Sequence, residues 1–175
     1  MQPMVAHTPK LRNRRLHIAG SVLPVAPDAI EREIVIDAPP SVVWAIVTEA
    51  QHLGGWFSDE AEIDLRSGGR MLLTWHGHGT YEGRVEMVDA PGLFAFRWQT
   101  REGEFSEANS TLVVMTLEAQ EAGTRLRVVE SGFATLPLPD DLRTRHADEN
   151  AEGWLTELDE LRDYVARVVA VDRDR

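Results

Sequence analysis

The chain has 175 residues, 43% apolar and 27% charged, enough for one globular domain with a substantial core. Its net charge of −11 would repel a phosphate backbone, which sets nucleic acid aside as a partner. No run reaches the roughly 18 apolar residues of a membrane span, and the absence of cysteine excludes disulfides and thiolate chemistry and fits a cytoplasmic location.

Residues 1–29 carry Lys10, Arg12, Arg14 and Arg15 against one acid, Asp28, so the acidity belongs to the rest of the chain. Arg14 to Ala26 imitates a secretory signal, but His17 and Gly20 interrupt its apolar stretch and it starts late. A flexible arm over 1–29 is the expectation. Glu31–Asp37, rich in β-branched residues, reads as a strand stopped by Ala38-Pro39-Pro40. Ser41 stands where an N-cap belongs, and Val43, Ile46 and Val47 follow with helical spacing. A break is expected at Gly54-Gly55, just before Trp56-Phe57.

From Ala61 to Gly132 short strands alternate with turn residues. The segments are Ala61–Leu65, Arg70–His76, Thr80–Val88, Leu93–Thr100, Ser110–Leu117 and Thr124–Ser131. Their short connections predict an antiparallel meander. After Leu136-Pro137-Leu138-Pro139 a helix is expected from Asp140 to Val169. Trp154, Leu158, Leu161, Val165 and Val168 form one apolar stripe along it. That stripe must be buried, and the meander offers the only large face to bury it on. The fold class is therefore α+β, with a helix-grip domain over 30–170. A curved antiparallel sheet wraps the long C-terminal helix, two short helices follow the first strand, an apolar cavity lies between sheet and helix, and 171–175 form a frayed tail.

Alternation along the strands points Phe94, Phe96 and Trp98 inward, with Met71, Leu73 and Trp75, with Val113, Met115 and Leu117, and with Leu126, Val128 and Glu130. Arg125 and Arg127 then face solvent. An inward carboxylate is costly unless paired, hydrated or protonated, so Glu130 is either a polar anchor for a ligand or a group at a wet mouth or beside an arginine. Trp44 is read as core. Trp56, Trp75, Trp98 and Trp154 border the expected cavity and either wall a pocket for an apolar or aromatic molecule or fill the core. The binding set is Trp56, Trp75, Phe96, Trp98, Met115, Val128, Glu130, Asn150, Trp154 and Leu158. His146 and Asn150 lie one or two turns before Trp154 on the same helix face and are placed to meet Glu130. Glu130 and His146 are the candidate acid/base groups, although no standard catalytic motif is present. His76-Gly77-His78 lacks the further ligands of a closed metal site and reads as a turn pair. No metal or cofactor is called for.

Ile36-Asp37-Ala38-Pro39 followed by Val43-Trp44 resembles the opening of the START-like (SRPBCC) superfamily. Trp56, Gly68-Gly69, Phe94–Trp98, Gly123-Thr124-Arg125-Leu126 running to Glu130-Ser131-Gly132-Phe133, and Gly153-Trp154 with Leu158 and Leu161 follow in the same order. Together they resemble, over about residues 30–168, the family of heat-shock protein 90 ATPase activator homologues. The resemblance implies a helix-grip fold with an internal cavity and three classes of function. The first is binding of a small hydrophobic or aromatic molecule. The second is a polyketide cyclase or aromatase using Glu130 and His146. The third is a chaperone-associated interaction domain, disfavoured here because the chain is read as lacking the extra N-terminal domain of the eukaryotic activators. A homodimer is left open.

Overall fold

The computed structural model describes residues 27–100 and 104–173. Of the arm expected over residues 1–29, residues 1–26 lie outside the described residues, and Ala29 already belongs to the first strand. Strand β1 (Ala29–Ile36) leads into helices α1 (Pro40–Thr48) and α2 (Ala50–Trp56). The meander follows as β2 (Glu60–Ile63), β3 (Arg70–Trp75), β4 (Gly79–Asp89), β5 (Leu93–Gln99), β6 (Ser110–Gln120) and β7 (Gly123–Ser131). Helix α3 (Asp140–Arg173) runs 34 residues, beyond the expected end at Val169.

All seven strands form one antiparallel sheet in the order β1-β7-β6-β5-β4-β3-β2. The meander supplies six neighbours in sequence order, and β1 returns to pair with β7 along its whole length, from Ala29↔Ser131 to Ile36↔Thr124. This pairing needs a close chain approach at the β6–β7 turn. Gly123 has φ +115, and a Cβ there would lie 2.1 Å from the Ile36 carbonyl oxygen, so only glycine fits. Between Val85 and Met87 the β4–β5 register shifts by a bulge, which bends the sheet and turns Met87 outward.

Two local expectations are corrected. Ser41 is not the N-cap: Pro39 is, and α1 starts at Pro40, whose fixed φ suits the first helical position and which has no N–H to leave unpaired. Nor do Gly54 and Gly55 break the helix. The chain breaks earlier, at Glu49, which is extended between α1 and α2, while both glycines lie inside α2. The role of Gly55 is close approach: a Cβ there would come 2.6 Å from the ring of Tyr164 on α3.

The core forms where the inner sheet face meets the α3 stripe. Trp154, Leu158, Leu161 and Val165 are buried against Met71, Leu73, Trp75, Phe94, Phe96, Trp98, Val113, Met115, Leu126 and Val128, while Val168 is half-buried. Arg127 faces solvent as alternation requires, and Arg125 is partly exposed. Two acids are buried with them, Glu130 on β7 at 0% exposure and Glu157 on α3 at 1%.

Candidate ligand-binding core

Glu130 follows Leu126 and Val128 on the inner face of β7, and the period of two leaves its side chain nowhere else to go. Four donors converge on its carboxyl. Oε1 accepts from Trp98 Nε1 at 2.9 Å, Thr111 Oγ1 at 2.5 Å and Asn150 Nδ2 at 3.0 Å, and Oε2 accepts from Trp154 Nε1 at 2.7 Å. The register explains the sheet donors. Val113 lies opposite Glu130 and Thr111 opposite Trp98, so the three side chains sit on one patch of the inner face. Asn150 and Trp154, one helical turn apart, bring the other two from α3. Burial pushes the Glu130 carboxyl above the usual range, while the hydrogen bonds from Thr111, Trp154, Trp98 and Asn150 oppose that shift.

Around the carboxyl is an aromatic cluster whose hub is Phe57. Its ring centroid lies 5.0 Å from Trp56, 5.9 Å from Trp75, 5.7 Å from Trp98 and 5.6 Å from Trp154, the last nearly parallel at 18°. Trp98 and Trp154 are 6.5 Å apart. Such spacings are attractive for ring pairs. The indoles are also anchored: Trp75 Nε1 donates to the Phe57 carbonyl at 3.0 Å, and Trp56 Nε1 to the Ile46 carbonyl at 3.1 Å.

The structure thus brings together Trp75, Trp98, Glu130, Asn150 and Trp154. Phe96, Met115, Val128 and Leu158 are buried in the same core. Trp56 borders the cluster through Phe57 but aims its N–H at α1. His146 does not join: the four partners of Glu130 do not include it. Its ring lies 5.9 Å from Phe133, its Nε2 is buried without a partner, and burial lowers its pKa. The arginine alternative also fails, because Arg32, from the inner face of β1, donates to the Ala151 and Glu31 carbonyls. Four recesses among the described residues lie elsewhere, one of them a groove of about 260 Å³ between β1 and the end of α3; none of the four is lined by Trp75, Trp98, Glu130 or Trp154. Around Glu130 the space between sheet and α3 holds the rings of Phe57, Trp75, Trp98 and Trp154.

Sequence reasoning missed three residues. Phe57 follows the end of a helix, where no periodicity assigns a direction. Thr111 required the β5–β6–β7 register. Glu157 lies in a run of acids on α3 where sequence gives no reason to single one out, yet it is 1% exposed, with Oε2 unpartnered. The His76 ring bonds Glu60 at 2.9 Å on the surface, and among the described residues no cluster of His, Cys, Asp and Glu could hold a metal. No helix among the described residues is long and apolar enough to cross a membrane.

Comparisons with known proteins agree with this geometry. Protein MLL2253 of Mesorhizobium loti superposes with a TM-score of 0.68 at 22% identity, over 79% of this chain and 97% of that one. DynU16, a protein from the dynemicin biosynthetic locus, gives 0.65 at 20% identity, over 80% of this chain but 48% of its own longer one. The Aha1 dimer of Colwellia psychrerythraea gives 0.62 at 20% identity, over 78% and 95%. At such identities the likeness establishes the helix-grip fold. Among curated proteins none matches the chain. The model of the family described as Activator of Hsp90 ATPase homolog 1-like protein matches residues 37–166, most of the domain, and the chain belongs to that family.

Proposed function

We propose that this domain binds a small, planar aromatic or hydrophobic molecule between the sheet and α3, in the place where the Phe57 ring touches four tryptophans. One observation carries this reading: the rings of Trp56, Trp75, Trp98 and Trp154 surround a single phenyl group beside a buried carboxyl, an apolar site with few polar groups of the kind that suits small ligands. The ligand ring replaces Phe57, which moves with the end of α2. Glu130 holds Trp98 and Trp154 in place as walls, and Asn150 completes the polar end. The origin of DynU16 in a biosynthetic locus supports a polycyclic or polyketide-type ligand. The cytoplasm is the proposed setting, and self-association is proposed by analogy with the Colwellia dimer.

The test is a native-mass-spectrometry and tryptophan-fluorescence screen of aromatic, polyketide and lipid molecules. One-to-one binding with quenching is expected from an aromatic binder. A screen in which no compound binds or quenches would overturn the reading.

A further inference from the structure

Glu157 is a second buried carboxyl on α3, and unlike Glu130 it has an oxygen that meets nothing: Oε2 is enclosed without a hydrogen-bond partner. An unpaired buried polar atom costs about 1–3 kcal/mol, and leucine at this position would avoid that cost. Its place on the helix is informative. Glu157 lies three residues after Trp154 and four before Leu161, both buried, so it shares their face. On that flank α3 meets the end of α2 at two points. Tyr164 packs on Gly55 and bonds His52, and Trp154 stacks on Phe57. Glu157 lies between these points, and helical side chains lean toward the N-terminus, which tilts its carboxyl toward Trp154 and the Phe57 hub.

Resting on the aromatic-binding reading above, we propose that Glu157 is the specificity group of that site, donating a hydrogen bond to an acceptor oxygen (ketone, quinone or amide) carried by an aromatic ligand. Burial, with Glu160 nearby, pushes its pKa up to about 9, so the group keeps its proton at neutral pH and serves as a donor. The division of labour is clear: Glu130 is saturated by protein donors, whereas Glu157 has capacity to spare. The ligand class is therefore narrowed from any apolar molecule to an aromatic carbonyl compound.

The experiment compares 2-acetonaphthone with 2-ethylnaphthalene, similar in shape but differing in the carbonyl, by tryptophan-fluorescence titration of the full chain, Glu157→Leu and Glu157→Gln. The ketone should bind the unaltered protein up to about tenfold more tightly, as one buried hydrogen bond allows. Glu157→Leu should abolish that preference while raising the Tm without ligand by about 3 °C or more, and Glu157→Gln, which keeps an N–H donor, should retain part of the preference. An equal preference in Glu157→Leu, or none in the unaltered protein, overturns the role of Glu157 while hydrocarbon binding leaves the aromatic site standing. A lowered Tm in Glu157→Leu overturns the unpartnered carboxyl on which the role depends. If neither compound binds any of the three proteins, the aromatic-site reading falls and this one with it.

Discussion

The indole N–H of Trp154 donates to Glu130 Oε2 at 2.7 Å, a bond that joins the long helix to the last strand through the centre of the core. With Asn150 one turn away and Trp98 and Thr111 on neighbouring strands, the carboxyl draws β5, β6, β7 and α3 to one point. A buried group so placed defines how α3 sits on the sheet, because sliding the helix by one residue would withdraw two donors at once.

Glu130→Gln tests this bond network. The amide keeps the size of the side chain and one accepting oxygen, but its NH2 must face at least one N–H or O–H donor. Leaving a buried donor unpaired costs about 1–3 kcal/mol, so a stability loss of about 2–3 kcal/mol is expected by urea unfolding, with near-ultraviolet circular dichroism altered by displaced tryptophans. Glu130→Ala, which orphans all four donors and leaves a void, should cost more. Unchanged stability in both variants would show that the network does not hold the helix.

The inner face was legible in the sequence because strand alternation is strict. Leu126, Val128 and Glu130 share a face by period alone, and the spacing from Asn150 to Trp154 puts both on one side of α3. His146 met the same spacing rule but stands one turn too far along the helix to reach Glu130. Contacts that depend on register, such as Thr111, or on chain direction after a helix end, such as Phe57, have no one-dimensional signal. Gly54-Gly55 misled for a related reason. Glycine usually marks a break, but here the absence of a side chain serves packing against Tyr164.

Stability should fall as pH rises from neutral to about 9. In the folded state burial raises Glu157 from 4.5 to about 9, so the native protein holds a proton that the unfolded chain has released. Stability is then lost as pH climbs through this window, with a slope of about 1.4 kcal/mol per pH unit for that proton. His146, lowered from 6.5 by burial, acts in the opposite sense only below that value. The exposed His76, raised by its bond to Glu60, adds a small loss of the same sign as Glu157. Urea midpoints measured between pH 6.5 and 9 should decline in the unaltered protein and flatten in Glu157→Gln. A flat profile in the unaltered protein would contradict the buried, protonated state.

Phe57→Ala removes the hub of the aromatic cluster. Loss of a buried phenyl group costs about 3–5 kcal/mol, tempered where neighbouring rings relax into the space. Tryptophan emission should shift to the red as water reaches Trp98 or Trp154. Under the proposed function an aromatic ligand restores both stability and emission in this variant. Phe94→Ala, a truncation on the same sheet face with no ring contact to Trp98 or Trp154, should gain much less from the same ligand.

Gly55 and Tyr164 give a prediction whose sign reverses with context. Gly55 lies inside α2, where alanine is preferred over glycine by about 1 kcal/mol. Its Cβ, however, would sit 2.6 Å from Tyr164 Cε2 and 2.8 Å from the hydroxyl that meets His52 Nδ1. Gly55→Ala alone must therefore push the tyrosine aside, losing its hydrogen bond and ring contact with His52, and should destabilise by about 1–2 kcal/mol. In a Tyr164→Ala background the obstacle is gone and the same substitution should stabilise by up to about 1 kcal/mol. A coupling energy of about 2 kcal/mol in the double-mutant cycle, measured by urea unfolding, is the expected result. Additive effects would mean that α2 is not seated on Tyr164, and that the wall carrying Phe57 is held by something other than the close approach of these two helices.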